Sequence, residues 1–394
     1  FFPLADAIWQ LCGTNFSGIT TKTISRTVAG SCSTLSKERG GIKMTLSECC
    51  MQIQPLDETA MQAAQQHWNQ LAKPLHSLGR LEDMIVQLAG IHRSAQLEQR
   101  KKAVLIFCAD NGIVEEGVTQ TGQEVTATVA ENFTKGIATV NSLAQVCQVD
   151  VMPIDIGIAR DMTCKDIANR KIAYGTKNFA KEPAMTRTEV EQAILTGIQL
   201  VKEQKEQGYN LIITGEMGIG NTTTTSAVAS VLLDIPVEQA TGKGAGLTSA
   251  GLERKINVIK KAIEVNKPNS KDPLDVLMKL GGYDICAMTG AFLGGGMYKI
   301  PIVIDGVIAC LSAYIACLIN PNTIDYILPS HMGREPVARV LLEKMNLKPV
   351  IYGNMALGEG SGAVMLFPLL DMAMALYNNV TFEEIEMKPY ERLV

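Results

Sequence analysis

Continuous apolar runs alternate with helical periods through most of this chain, and that alternation narrows the fold more than any other feature. The runs "KAVLIFCAD", "VDVMPIDIGI", "YNLIIT", "PIVID" and "IDYILPS" show little polar alternation, so each reads as a strand covered on both faces. Between them lie "VTATVAENFTKGIATVNSLAQV", "RTEVEQAILTGIQLVKEQKEQG", "NTTTTSAVASVLL", "TSAGLERKINVIKKAIEVN" and "EPVARVLLEKM", which carry helical spacing. A long loop to about Thr186 follows the second strand. The pattern predicts an α/β protein with a parallel sheet and helices on both faces. Functional loops of such sheets lie at the carboxyl ends of the strands. The polar tips Asp110, Gly215-Glu216, Asp305-Gly306 and Ser330-His331 then share one edge.

Composition excludes several functions. The net charge of −4 and 5% aromatic residues give no basic or stacking surface for nucleic acid. Ten cysteines form no CxxC pair and only four histidines are present, so neither a metal site nor a disulfide framework is expected. Reduced thiols fit a cytoplasmic protein. The stretch "IPIVIDGVIACLSAYIACLI" is long enough for a membrane span, but Asp305-Gly306 divides it into a strand and a buried helix. No membrane partner is expected.

The first 43 residues lack a helical or strand period and resemble no signal peptide. "KERGGIKM" is encodable by purine-rich codons of the kind found before a start codon. We expect 1–43 to be a leader ahead of Met44, 44–100 to supply N-terminal helices, 101–350 the α/β core and 351–394 an active-site loop and closing helices.

"GEMGIGNTTTTS" has the glycine spacing of a phosphate-binding P-loop at Gly215 and Gly220, with Gly218 between and Thr222 in place. Asn221 occupies the lysine position and Glu216 lies inside the loop. Without the lysine a triphosphate is a poor ligand. The loop either seats a monophosphate through backbone N–H groups and the helix dipole, or is a tight turn whose glycines allow close packing. "TGKGAGL" supplies Gly242, Lys243 and Gly244. Its spacing differs from the dinucleotide G-x-G-x-x-G and no buried strand directly precedes it, which argues against an oxidoreductase. Lys255, on the next helix, either turns a cation toward this loop or is an ordinary solvated lysine. "LGEGSGA" places Glu359 between glycines before an apolar helix, either as a base or as a capping acid.

Together "SLGRLEDMIVQLAGI", "ADNGIVEEGVTQTGQEVTATVAENF", "GEMGIGNTTTTSAV", "TGKGAGL", "MTGAFLGGG", "IVIDGVIA", "SHMGREP" and "LGEGSGAV" resemble the nicotinate-nucleotide–dimethylbenzimidazole phosphoribosyltransferases of cobalamin lower-ligand synthesis. The resemblance runs from about Leu56 to the end. It implies a Rossmann-like three-layer α/β/α core with a mostly parallel sheet, a small helical domain built from both chain ends, and a homodimer. It implies transfer of the 5-phosphoribosyl group from nicotinate mononucleotide to a benzimidazole, giving α-ribazole phosphate and nicotinate without cofactor or metal. Glu359 matches the general base. Gly215, Glu216, Gly218, Gly244 and Lys255 match positions that hold ribose and phosphate, with Gly220, Asn221, Thr222, Gly242 and Lys243 beside them. Thr119, Gln123, Val125 and Leu357 fall where the acceptor pocket is expected.

The chain departs from the family's common pattern at "KPLHSLGRLE", at Lys243 where Arg is usual, and at Asn111 where His is usual. Two alternatives remain: a paralogue activating a phenolic or purine lower ligand, and a non-catalytic nucleotide-binding protein.

Overall fold

The computed structural model describes residues 44–98 and 101–390. The leader expected at 1–43 lies outside them. Eight strands are present among the described residues: β1 (Lys102–Ala109), β2 (Val149–Gly157), β3 (Ala168–Asn169), β4 (Leu211–Met217), β5 (Ile302–Ile304), β6 (Ile327–Pro329), β7 (His331–Gly333) and β8 (Ile351–Met355). Six form one sheet in the order β3-β2-β1-β4-β5-β6, and every pairing in it is parallel. The chain winds outward from β1 through β2 and β3, then resumes on the other side with β4. This doubly wound order leaves a crevice at the carboxyl ends of β1 and β4, where the winding reverses.

The strands feed two cores because successive side chains point to opposite faces. Leu105, Phe107 and Ala109 of β1 and Ile212 of β4 join the core beneath helices Arg187–Glu206, Asn221–Leu233, Tyr283–Tyr298 and Val307–Ile319. Val104, Ile106 and Cys108 of β1 with Leu211 and Ile213 of β4 join the core beneath helices Glu58–Gln70, Arg80–His92, Glu124–Thr134, Thr139–Cys147 and Leu366–Tyr377. The predicted three-layer arrangement is therefore present. Both described chain ends meet on the second face: His67 Nε2 lies 2.7 Å from the Tyr377 carbonyl, and the Trp68 and Tyr377 rings meet edge to face at 5.0 Å. Ala72 and Phe382 add backbone bonds to Val380 and Gln70. Among the described residues no helix is long and apolar enough to cross a membrane, and "IPIVIDGVIACLSAYIACLI" divides at Asp305-Gly306 as expected.

Four local readings change. The helix expected across "VTATVAENFTKGIATVNSLAQV" is two helices, because Gly136 turns the chain at φ +70°. "IDYILPS" is strand only over Ile327–Pro329, preceded by a 3₁₀ segment whose Tyr326 hydroxyl donates to the Gln54 carbonyl at 2.7 Å. The closing helix begins at Ser361 and is interrupted at Met365. A short strand, β3, and a second parallel pair, β7–β8, add to the elements expected from the sequence.

"MTGAFLGGG" serves close helix packing. A Cβ on Gly290 would overlap the Ile194 carbonyl, and one on Gly197 would overlap the Ala287 carbonyl. Helices Arg187–Glu206 and Tyr283–Tyr298 therefore approach backbone to backbone. Gly290→Ala should lower the unfolding free energy by about 1–3 kcal/mol in urea denaturation, through overpacking with no side chain free to yield.

Candidate active site

Strand β4 runs on into the glycine motif: Gly215 and Glu216 pair with Ile106 and Phe107 of β1. The phosphate-loop reading puts both in a loop, and the structure corrects this. Gly215 is required because another segment crosses it: a Cβ there would lie 2.6 Å from the Glu359 carbonyl oxygen. The turn proper begins at Gly218, which is backed by the Ala109 carbonyl and by Asp284. Gly220 has φ +96°, a conformation open to glycine, and precedes helix Asn221–Leu233.

Asn221 has a different use from a P-loop lysine. Its amide donates to Glu216 and, at 3.0 Å, to Asp284. Asp284 is fully buried at the start of helix Tyr283–Tyr298 and accepts from its own helix at Ile285 N. Burial raises the Glu216 pKa to about 8, against the Asn221 hydrogen bond and with help from Asp284 and Asp305. Burial also raises Asp284 to about 6. Glu216 therefore holds its proton to higher pH than a solvated carboxyl, and the neutral form does not repel phosphate.

The second glycine loop meets the first at Thr222. Lys255, 1% exposed, donates to Thr222 Oγ1 at 3.0 Å and to the Gly242 carbonyl at 3.3 Å. A Cβ on Gly244 would lie 2.9 Å from Thr222 Oγ1 and 3.7 Å from Lys255 Nζ. Gly242 is packed against Glu335. Desolvation lowers the Lys255 pKa to about 8, with Glu335 pulling the other way. Among the described residues no carboxylate lies within ion-pair distance of this ammonium. The solvated-lysine reading is therefore excluded. Lys243 is exposed on the same loop.

Glu359 lies on the segment after β8, in the left-handed region at φ +65°. Its Oε2 accepts from Val140 N at 3.2 Å, at the start of helix Thr139–Cys147. Burial raises its pKa, the Val140 hydrogen bond opposes, and the charge of Asp305 adds. Gly358 is packed against Glu216, so the two acids share one end of the sheet.

The expected acceptor residues are more scattered. Thr119 donates to the Thr121 carbonyl at 2.8 Å, Gln123 donates to the Asn111 carbonyl at 3.1 Å, and Val125 is half-buried at the next helix. Their segment reaches the second glycine loop through Gln120 and Gly246, and the helix Ser249–Asn266 behind it through Gly117 and Arg254. Leu357 is 40% exposed on the Glu359 segment, with its carbonyl facing Gly306. Sequence reasoning missed Asp284, Glu335 and the backbone of Val140. An acid two residues after "LGG", at a helix start, was the only local signal for the first.

A family model described as a phosphoribosyltransferase matches residues 53–386. The chain is 47% identical over 351 residues to the nicotinate-nucleotide–dimethylbenzimidazole phosphoribosyltransferase of Ruminiclostridium cellulolyticum, covering 89% of this chain and 100% of that protein. It is 45% identical to the Clostridium acetobutylicum protein of the same name, with the same coverage. The crystal structure of CobT from Thermus thermophilus superposes with a TM-score of 0.80 at 34% identity, over 84% of this chain and 99% of that one. The chain belongs to this phosphoribosyltransferase family, whose similar members carry the nicotinate-nucleotide–dimethylbenzimidazole name.

Proposed function

We propose that this chain transfers the 5-phosphoribosyl group of nicotinate mononucleotide to dimethylbenzimidazole or a closely related base. The observation that carries the site assignment is the buried Lys255 ammonium between Thr222 and Gly242, facing Gly244. One phosphate monoester suits this seat: a buried cation, two glycine loops and the helix after Gly220. Glu216, holding its proton, is a donor for a ribose hydroxyl.

The reaction needs one base. Nicotinate leaves C1′ with the bonding electron pair, as a neutral pyridine ring, so it needs little protonation. The unprotonated ring nitrogen of the benzimidazole attacks C1′ from the opposite face and inverts it. The other ring nitrogen then loses its proton to Glu359. One Glu359 oxygen is held by Val140 N, and the second takes the proton. The raised pKa makes Glu359 a stronger base than a solvated carboxylate. The resemblance and the meeting of both described chain ends support a smaller helical unit beside the sheet. The resemblance supports a cytoplasmic homodimer, which sedimentation of the purified enzyme tests.

Mixing the protein with nicotinate mononucleotide and a panel of benzimidazoles, phenols and adenine, then identifying products, tests the reaction. An α-ribosyl benzimidazole phosphate is expected; no product with any acceptor refutes the proposal. Glu359→Gln should lower kcat by about 10²–10⁴-fold. Because the base must be ionised, kcat should rise with pH through a value above 4.5, and the variant should lose that limb.

Lys255 gives two pH dependences of opposite sign. Folding lowers its pKa to about 8, so from there to about 10.5 the folded chain binds fewer protons than the unfolded one. Its unfolding free energy therefore rises with pH across that window. Affinity for the nucleotide falls over the same window, since only the ammonium attracts phosphate. Lys255→Met should lose both dependences, raise the KM for nicotinate mononucleotide at least tenfold, and melt at a higher temperature without ligand. Steady-state kinetics and thermal melts across pH check this.

A further inference from the structure

One buried carboxylate ties the end of β5 to the Glu359 segment. Asp305 is 3% exposed, and its oxygens accept from Gly360 N at 3.2 Å and Ala363 N at 2.9 Å. Gly360 directly follows Glu359 and has φ +85°. The two hydrogen bonds therefore pin the turn on which Glu359 holds its own left-handed conformation, one that side chains other than glycine adopt at a cost of about 1–3 kcal/mol.

A second layer stands behind Asp305. The Ser330 hydroxyl donates to the Ile304 carbonyl at 2.6 Å, so its oxygen is left to accept from His331 Nδ1, 2.9 Å away. The imidazole packs where a Cβ on Gly362 would stand, so the ring lies against the same helix start that Asp305 caps. The titratable groups that face Asp305 are Glu216 from β4, Glu359 from the crossing segment, His331 from β7 and Cys310 from helix Val307–Ile319. Burial raises the Asp305 pKa, and His331 with the hydrogen bonds from Ala363 and Gly360 opposes that rise.

We propose that Asp305 is a positioning residue for the transfer: through Gly360 and Ala363 it holds the Glu359 carboxylate where it takes the acceptor's proton, and Ser330–His331 keeps Asp305 in place. This rests on the reading of Glu359 as the base. A purely structural cap would stabilise the helix start and affect every catalytic background alike. A positioning residue acts only while Glu359 is there to be positioned.

The test is a double-mutant cycle on the full chain with nicotinate mononucleotide and dimethylbenzimidazole, using Asp305→Asn, Glu359→Gln and the pair, with the slow residual rate of the Glu359→Gln variant followed over hours. Asp305→Asn should lower kcat by about tenfold or more, with the KM for nicotinate mononucleotide within about threefold. In the Glu359→Gln background it should cost less than about twofold. Removing the Asp305 charge should also move the acid limb of kcat to lower pH, because a negative neighbour no longer raises the Glu359 pKa. An equal loss in both backgrounds, or no loss in either, overturns the proposal. Glu359→Gln at full rate removes the base and this inference together; Glu359→Gln slow beside Asp305→Asn at full rate removes this inference alone. If Asp305→Asn yields no folded protein, His331→Gln takes its place. A loss of about threefold or more confined to the background that keeps Glu359 then supports the proposal, and an equal loss or none overturns it.

Discussion

A buried ammonium whose hydrogen-bond partners among the described residues are a hydroxyl and a carbonyl organises this site. Desolvating Lys255 costs free energy that Thr222 Oγ1 and the Gly242 carbonyl do not return, as its lowered pKa shows. An anion would return it. The surrounding backbone is arranged for close approach: Gly244 leaves open the space over the ammonium, and Gly220 turns the chain so that a helix begins at Asn221. Both glycine loops can serve a single phosphate because the sheet reverses its winding between β1 and β4 and leaves the crevice there.

An acidic cluster whose pKa values are displaced upward gathers around Asn221, next in sequence to the Thr222 that Lys255 contacts. Asp284 anchors Asn221, Asn221 anchors Glu216, and Asp305 faces both Glu216 and Glu359. Carboxyls crowded in a low-dielectric crevice cannot all ionise near neutral pH. A raised Glu216 pKa is compatible with an acid beside the proposed phosphate seat, and a raised Glu359 pKa suits the proposed base.

Much of this arrangement is legible in the chain. Apolar runs without alternation identify β1, β2 and β4 and their parallel pairing, because strands covered on both faces need no polar side. The polar tips at Asp110, Glu216, Asp305 and Ser330 follow directly, since parallel strands end on one edge. The two glycine loops and Lys255 are legible through residue type and order. The strand character of Gly215 is not, because what demands glycine there is the Glu359 carbonyl, far away in sequence. The break at Gly136 is hidden within a continuous helical period, yet it creates the helix start whose Val140 N–H holds Glu359. Asp284 and Asp305 act through contacts with Asn221 and Gly360, and no local pattern encodes such contacts.

The two glycine loops and Lys255 form, on this reading, one seat for the nucleotide's phosphate, with Glu359 on the far side of the ribose. A crystal structure of the enzyme soaked with nicotinate mononucleotide tests this most directly. Phosphate oxygens should lie within hydrogen-bond distance of Lys255 Nζ and of backbone N–H groups around Gly244, with a ribose hydroxyl on Glu216. A phosphate seated away from Lys255, with its Nζ still bonded only to Thr222 and Gly242, would contradict it.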